Sequence, residues 1–176
     1  MPERNYNSAM KLPESTPELI NVGIGEMRTA SDKTVLRTTL GSCIAICLYD
    51  PRIKSGGMAH IMLPSLEDTK NLEASPTKYA DSAIPLLLYE IISNGCKKER
   101  VYAKIAGGAQ MFHLPDGSSM STIGKNNIIK VKDVLHNMKI DLRGENTGGD
   151  FSRTIFFSLE TGEIIIKASG NHAATI

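Results

Sequence analysis

Two residues in the first third of the chain have side chains suited to covalent chemistry. Cys43 follows Leu40-Gly41-Ser42 and opens an apolar, β-branched run that ends at Asp50-Pro51. His60 lies in a second apolar run, Gly57-Met58-Ala59-His60-Ile61-Met62-Leu63. A thiol within reach of an imidazole is the minimum equipment of an activated nucleophile and its general base. The base takes the thiol proton and later gives a proton to the leaving group. As imidazolium it also lowers the thiol pKa. The Gly41-Ser42 turn before the thiol offers backbone N–H groups of the kind that stabilise an oxyanion. Each residue also has a plain structural reading. Free cysteine is among the most buried residue types, and a single histidine in an apolar strand is commonly a core residue with its hydrogen bonds met. Spacing alone leaves both readings open.

Cys47 raises the question of a metal shared with Cys43 and His60. In a strand, four residues span about 13 Å, whereas two sulfurs sharing zinc must each lie about 2.3 Å from it. Ile44, Ile46 and Leu48-Tyr49 favour a strand, so Cys47 is expected in the core. Cys96, His113, His136 and His172 show no partner pattern. Gly124-Lys125 lacks the remainder of a phosphate-binding loop, because Asn126 follows the lysine and Gly117 is wrongly spaced.

The elements that must position Cys43 and His60 can be read from periodicity. Leu19–Glu26, Thr34–Leu40, Cys43–Tyr49 and Gly57–Leu63 read as strands. Leu66–Pro76 reads as a polar linker. Ala80, Ala83, Ile84, Leu87, Leu88 and Ile91 recur at helical spacing, with Gly95 as C-cap. Pro85 is expected in the first turn of that helix or at a kink. Val101–Ala106 is a strand entering the Gly107-Gly108 turn, and His113–Ser121 is a loop. A second helix starts near Gly124, with Ile128, Val131, Val134, Leu135 and Met138 as its apolar stripe. Ile140–Glu145 is a strand, Thr147-Gly148-Gly149 a loop, and Thr154–Leu159 with Glu163–Lys167 a hairpin around Thr161-Gly162. Residues 1–18 and 169–176 read as flexible tails around one domain, 19–168. Strands come in runs, which argues for a layered α+β fold of mixed sheets flanked by helices.

Composition narrows the function classes. The chain has 176 residues and a formal net charge of +1, with five tyrosines, four phenylalanines and no tryptophan. Neither that charge nor the scarce stacking surface suggests nucleic acid or an anionic membrane as a partner. The first residues lack the pattern of a secretory signal, and no apolar stretch is long enough to span a bilayer. Three cysteines give no secreted disulfide framework and suit a reducing compartment. The expectation is a cytoplasmic protein.

Several motifs, in order, carry a resemblance. LGSCIAICLYDP (Leu40–Pro51), GGMAHIMLP (Gly56–Pro64), KYAD (Lys78–Asp81), KIAGGAQMF (Lys104–Phe112), IGKNN (Ile123–Asn127) and ENTGGDFSR (Glu145–Arg153) resemble the chemoreceptor glutamine deamidase family, CheD. The resemblance covers most of the chain, from Leu19 to Ala168. It implies a fold similar to other cysteine-dependent deamidases, with Cys43 in the place of the nucleophile and His60 in that of the base. It also implicates a threonine shortly before the cysteine. Thr38 and Thr39 both precede LGSC, Arg37 stands where some relatives carry the hydroxyl, and Thr38 is the favoured third group. The implied reaction converts glutamines on the cytoplasmic helical region of methyl-accepting chemotaxis receptors to glutamate through a thioester, without cofactor or metal. The same route would cleave a γ-glutamyl methyl ester. A second implied role is that of a binding partner for a CheC-type response-regulator phosphatase.

Overall fold

The computed structural model describes residues 16–66, 74–111, 122–168 and 172–176. Its strands form two five-stranded mixed sheets packed face to face, with two helices covering one of them. The first sheet contains β1 (Glu18–Asn21), β3 (Thr34–Leu40), β8 (Arg153–Ser158), β9 (Ile164–Ala168) and β10 (Ala174–Thr175), in that order. The second contains β2 (Met27–Ser31), β5 (Ser55–Ile61), β4 (Ile44–Asp50), β6 (Tyr102–Gly107) and β7 (Asp141–Thr147), in that order. The β1–β3 and β6–β7 pairs are parallel and the others antiparallel.

Burial along the strands follows from the layering. In β3, β8 and β9 buried residues alternate with more exposed ones, as in a sheet with one face against a core and one toward solvent. β4 and β5 are buried throughout because both of their faces are covered. Ile44, Ile46 and Leu48 meet the helices, α1 (Ala80–Ser93) and α2 (Ile123–Asn137). Ala45, Cys47 and Tyr49 point the other way, into the core shared with Leu36, Leu40, Ile155 and Phe157 of the first sheet. The chain passes from one sheet to the other between Leu40 and Ile44, so Cys43 lies in the crossing itself.

Most elements lie near their expected positions, and the departures have local causes. The strand expected over Leu19–Glu26 is two: β1 ends at Asn21, and a turn with Gly25 in the left-handed region (φ 73°) redirects the chain into β2 of the other sheet. Pro85 is the sixth residue of α1, deeper than the first turn, with its ring exposed. The C-terminal residues expected to be flexible include β10. Ala174 and Thr175 pair with β9, and the Ile176 backbone exchanges hydrogen bonds with Ile164. Ala174 and Ile176 pack on the inter-sheet core, and that burial anchors them. The start of the N-terminal tail and most of the two loops expected around 66–76 and 113–121 lie outside the described residues.

The second helix is seated on the loop that follows β6 by close backbone approach. A Cβ at Gly124, in the first turn of α2, would lie 2.6 Å from the Gly108 carbonyl oxygen and 2.7 Å from that of Ala109. Alanine is intrinsically the better helix former by about 1 kcal/mol, but here it would push against backbone that cannot rotate away. Gly124→Ala is therefore expected to lower the thermal midpoint, with a net loss of about 1–2 kcal/mol. Thermal unfolding by circular dichroism checks this; an unchanged or higher midpoint would mean that the helix is not seated on the 107–109 loop.

Candidate active site

Cys43 immediately precedes β4, and His60 lies on β5, the strand paired with it. The β4–β5 register sets Ala45 opposite His60 and Ile44 opposite Ile61. Side chains alternate along a strand, so Cys43 shares the side of Ala45, facing the first sheet, and His60 shares it too. Cys43 is half-buried and packs against the inter-sheet core. His60 is 2% exposed. Its backbone is fixed at both groups, N–H to the Glu26 carbonyl at 3.0 Å and C=O from the Gly25 N–H at 2.8 Å.

Thr38 comes to His60 from the other sheet. Its hydroxyl donates to the Val22 carbonyl at 2.7 Å and lies 2.8 Å from His60 Nδ1. A hydroxyl has one proton to give. With that proton on Val22, Thr38 Oγ1 accepts from His60, so Nδ1 carries the imidazole hydrogen. The Val22 carbonyl, 3.5 Å from the same nitrogen, favours the same tautomer. Nε2 is thereby left with its lone pair. It is buried and has no hydrogen-bond partner among the described residues. The thiol and Nε2 are thus not yet hydrogen-bonded; such catalytic bonds commonly close only around substrate. A cleft of about 220 Å³ runs along the Thr38 side of the ring, lined among others by Val22, Ile24, Arg37, Thr38 and His60.

Thr39, the other hydroxyl before the cysteine, points to the outer face of the first sheet and meets Thr154 Oγ1 at 2.9 Å, away from His60. Cys47 is buried in the inter-sheet core, where desolvation drives its thiol pKa far upward. Cys96 is buried beneath Ser55, whose carbonyl its thiol approaches at 3.7 Å. No cluster of three or more metal-ligating side chains occurs among the described residues. His136 is exposed and His172 stacks on Phe151 with ring centroids 4.1 Å apart. His113 lies outside the described residues.

The crossing that carries Cys43 is held at every carbonyl. Gly41 C=O accepts from the Ala109 N–H at 2.8 Å and Cys43 C=O from the Gly108 N–H at 2.8 Å. Ser42 C=O accepts from Asn127 Nδ2 at 3.0 Å. Gly107 has φ 112°, and a Cβ there would fall 2.2 Å from the Cys43 oxygen, so only glycine allows this approach. Behind this loop, Gly148 N–H bonds the Gly107 carbonyl at 2.9 Å. Arg153, 2% exposed, clamps that outer loop: Nη1 donates to the Asn146 carbonyl at 2.6 Å and Nη2 to the Gly148 carbonyl. Sequence reasoning did not assign roles to Asn127 or Arg153. The available signal for Asn127 was its place, since an amide falls where the apolar stripe of α2 needs a buried residue.

Burial sets the resting charge state. Desolvation raises the Cys43 thiol pKa, partly offset by the residue's own backbone N–H. Desolvation lowers the His60 pKa, partly offset by the Val22 carbonyl. Both shifts favour a neutral thiol beside a neutral imidazole. The expected lowering of the thiol by an imidazolium therefore does not describe the resting site.

The chain matches the family model described as CheD chemotactic sensory transduction over residues 62–168. A probable chemoreceptor glutamine deamidase CheD of Syntrophomonas wolfei is 44% identical over 88% of this chain and 96% of its own length. One so named from Clostridium novyi is 43% identical over 86% of this chain and 93% of its own. Among solved structures, the Bacillus licheniformis hypothetical protein YfiH aligns with a TM-score of 0.42 at 12% identity, covering 77% of this chain and 61% of that one. The molecule is an α+β protein of two mixed sheets with helices on one side. On the strength of the sequence relatives, this chain belongs to the CheD family.

Two outcomes are expected from this geometry. Thr38→Ala should lower kcat of glutamine deamidation by roughly 10–100-fold, against less than about 2-fold for Thr39→Ala; equal effects would place the orienting group elsewhere. A depressed imidazole pKa keeps the base unprotonated to lower pH, so the acid limb of kcat/KM should lie below the ordinary histidine value of about 6.5. A raised thiol pKa means that alkylation of free Cys43 by iodoacetamide should climb only on the alkaline side of an ordinary cysteine. A plateau of thiol reactivity at neutral pH would show an ion pair instead.

Proposed function

We propose that this chain is a cysteine-dependent protein-glutamine deamidase acting on chemotaxis receptors. The observation that carries the reading is the Thr38–His60 hydrogen bond, which leaves Nε2 as a buried, unpaired base on the side of the sheet that holds Cys43. Membership of the CheD family supports the substrate class, because its curated relatives are named for it.

The mechanism follows from the groups present. As Cys43 Sγ forms its bond to the glutamine side-chain carbonyl carbon, His60 Nε2 takes the thiol proton. The carbonyl electron pair moves to oxygen, and the Cys43 backbone N–H stabilises it. Collapse of this intermediate breaks the C–N bond, and the imidazolium gives its proton to nitrogen, releasing ammonia. A thioester remains. Water attacks it with His60 again as base, and the thiol leaves as glutamate forms. Thr38 accepts from Nδ1–H throughout, which stabilises the transient imidazolium and holds the ring in register. No step calls for a metal or an organic cofactor. Methanol can leave in place of ammonia, so a γ-glutamyl methyl ester is a second substrate of the same site. The targets are glutamines in the cytoplasmic helical region of the receptors, which sets the reaction in the cytoplasm. No helix among the described residues is long and apolar enough to cross a membrane.

The test is intact-mass spectrometry of a receptor cytoplasmic fragment incubated with the protein, beside a Cys43→Ala control. A gain of about 1 Da per site that the control lacks is expected, from replacement of NH2 by OH. A gain that persists in Cys43→Ala would remove this mechanism. No change on any co-resident receptor would favour the binding-module role, and a pull-down of a CheC-type phosphatase would follow.

A further inference from the structure

Asn127 is the one polar side chain of α2 that is completely buried, and its two amide hydrogens go to two different parts of the site. Nδ2 donates to the Ser42 carbonyl at 3.0 Å and to the Met62 carbonyl at 3.0 Å. Ser42 is joined by its peptide bond to the nucleophile. Met62 is two residues beyond the base, just past the end of β5. A single planar NH2 group therefore joins the nucleophile's crossing to the base's strand from a third element. Its own oxygen, Oδ1, is buried without a hydrogen-bond partner among the described residues. An amide kept at the cost of an unsatisfied acceptor, where Leu or Val would fit the helix stripe, points to the donors as what the site requires.

The orientation of the Ser42–Cys43 peptide explains that requirement. A trans peptide is planar, with C=O and N–H directed oppositely. Pulling the Ser42 oxygen toward α2 turns the Cys43 N–H away from α2, toward the thiol; that N–H is the group that partly offsets the rise of the thiol pKa. We propose that Asn127 is the positioning residue of the oxyanion site: it fixes the direction of the Cys43 N–H through Ser42 and the spacing of His60 from Cys43 through Met62. It touches no reacting atom. The proposal rests on the deamidase reading for its effect on turnover, but the hydrogen bonds can be tested without substrate.

The experiment has two arms. In the first, Asn127→Leu and Asn127→Ser are compared with Val131→Ala, a core truncation one turn along the same helix, all assayed below their unfolding temperatures. Loss of oxyanion alignment should lower kcat about 100-fold in Asn127→Leu, with KM changed less than about 3-fold. Val131→Ala should keep kcat within about 2-fold. Asn127→Ser, which keeps one donor, should fall between. Alkylation of Cys43 by iodoacetamide, a displacement that needs no oxyanion site, should stay within about 3-fold of wild type in each folded variant. Equal kcat losses in Asn127→Leu and Val131→Ala, or none in either, would overturn the role. The second arm uses the unaltered protein: the Asn127 side-chain NH2 protons should exchange with solvent far more slowly than those of exposed Asn137, read by 15N-resolved NMR. Fast exchange would overturn the proposal even if every Asn127 variant fails to fold. A wild-type protein inactive on receptors, with a protected Asn127 amide, would remove the deamidase reading and leave the staple; an active wild type matched by its Asn127 variants would do the reverse.

Discussion

The peptide carbonyls of Gly41, Ser42 and Cys43 each accept a hydrogen bond from a different residue: Ala109, Asn127 and Gly108. This triple anchorage is the constraint on which the site depends. A three-residue crossing between two sheets would ordinarily be the least determined part of such a fold. Here its carbonyls are paired, and the glycines that permit the pairing leave no room for a side chain. Gly107 meets the Cys43 oxygen, Gly108 meets Ile128, and Gly124 meets the Gly108 oxygen. A nucleophile must be held to within about half an ångström to act. Around Cys43 that hold comes from two backbone N–H groups and one side-chain amide.

The base is held by a different device. His60 belongs to the second sheet, while Thr38 belongs to the first and Val22 follows the end of β1. The hydroxyl donates its hydrogen bond to the Val22 carbonyl and so dictates which imidazole nitrogen is free. The inter-sheet core of Leu36, Leu40, Ala45, Met58 and Ile155 keeps the two sheets at the separation this exchange needs. Packing energy in the core is thereby converted into a choice of tautomer. The burial that does so also keeps both thiol and imidazole neutral at rest.

Much of this was legible in the sequence because the signals were local. Thr34–Leu40 and the two helices have strong periodicity, and Asp50-Pro51 and Gly95 close their elements where turn chemistry says they should. Cys43, His60 and Thr38 were singled out by residue type and motif. What was illegible was non-local. Nothing in Leu19–Glu26 shows that the strand breaks at Asn21 and changes sheet, because either half would satisfy the same alternation. The last residues looked too polar and too short for a strand, yet Ala174 and Ile176 gain burial from β9 and the core beneath it. Asn127 lay within the IGKNN motif and beside the apolar stripe of the second helix, with no role attached. Its meaning appears only when Ser42 and Met62, remote in sequence, are found at its two hydrogens. Arg153 likewise sits at the end of a strand pattern, and only the fold reveals that it closes the Asn146–Gly148 loop.

The division of Thr38 and His60 between the two sheets has a mechanical consequence. His60 rides on β5 of the second sheet and Thr38 on β3 of the first, and the short crossing that carries Cys43 is the covalent link from β3 to the second sheet. A slide of one layer over the other by a single ångström would stretch the 2.8 Å bond to Nδ1 without breaking any strand ladder. Such a slide would loosen the hold on the His60 ring while every element of secondary structure persisted. The molecule is in this sense a gauge of its own inter-layer alignment.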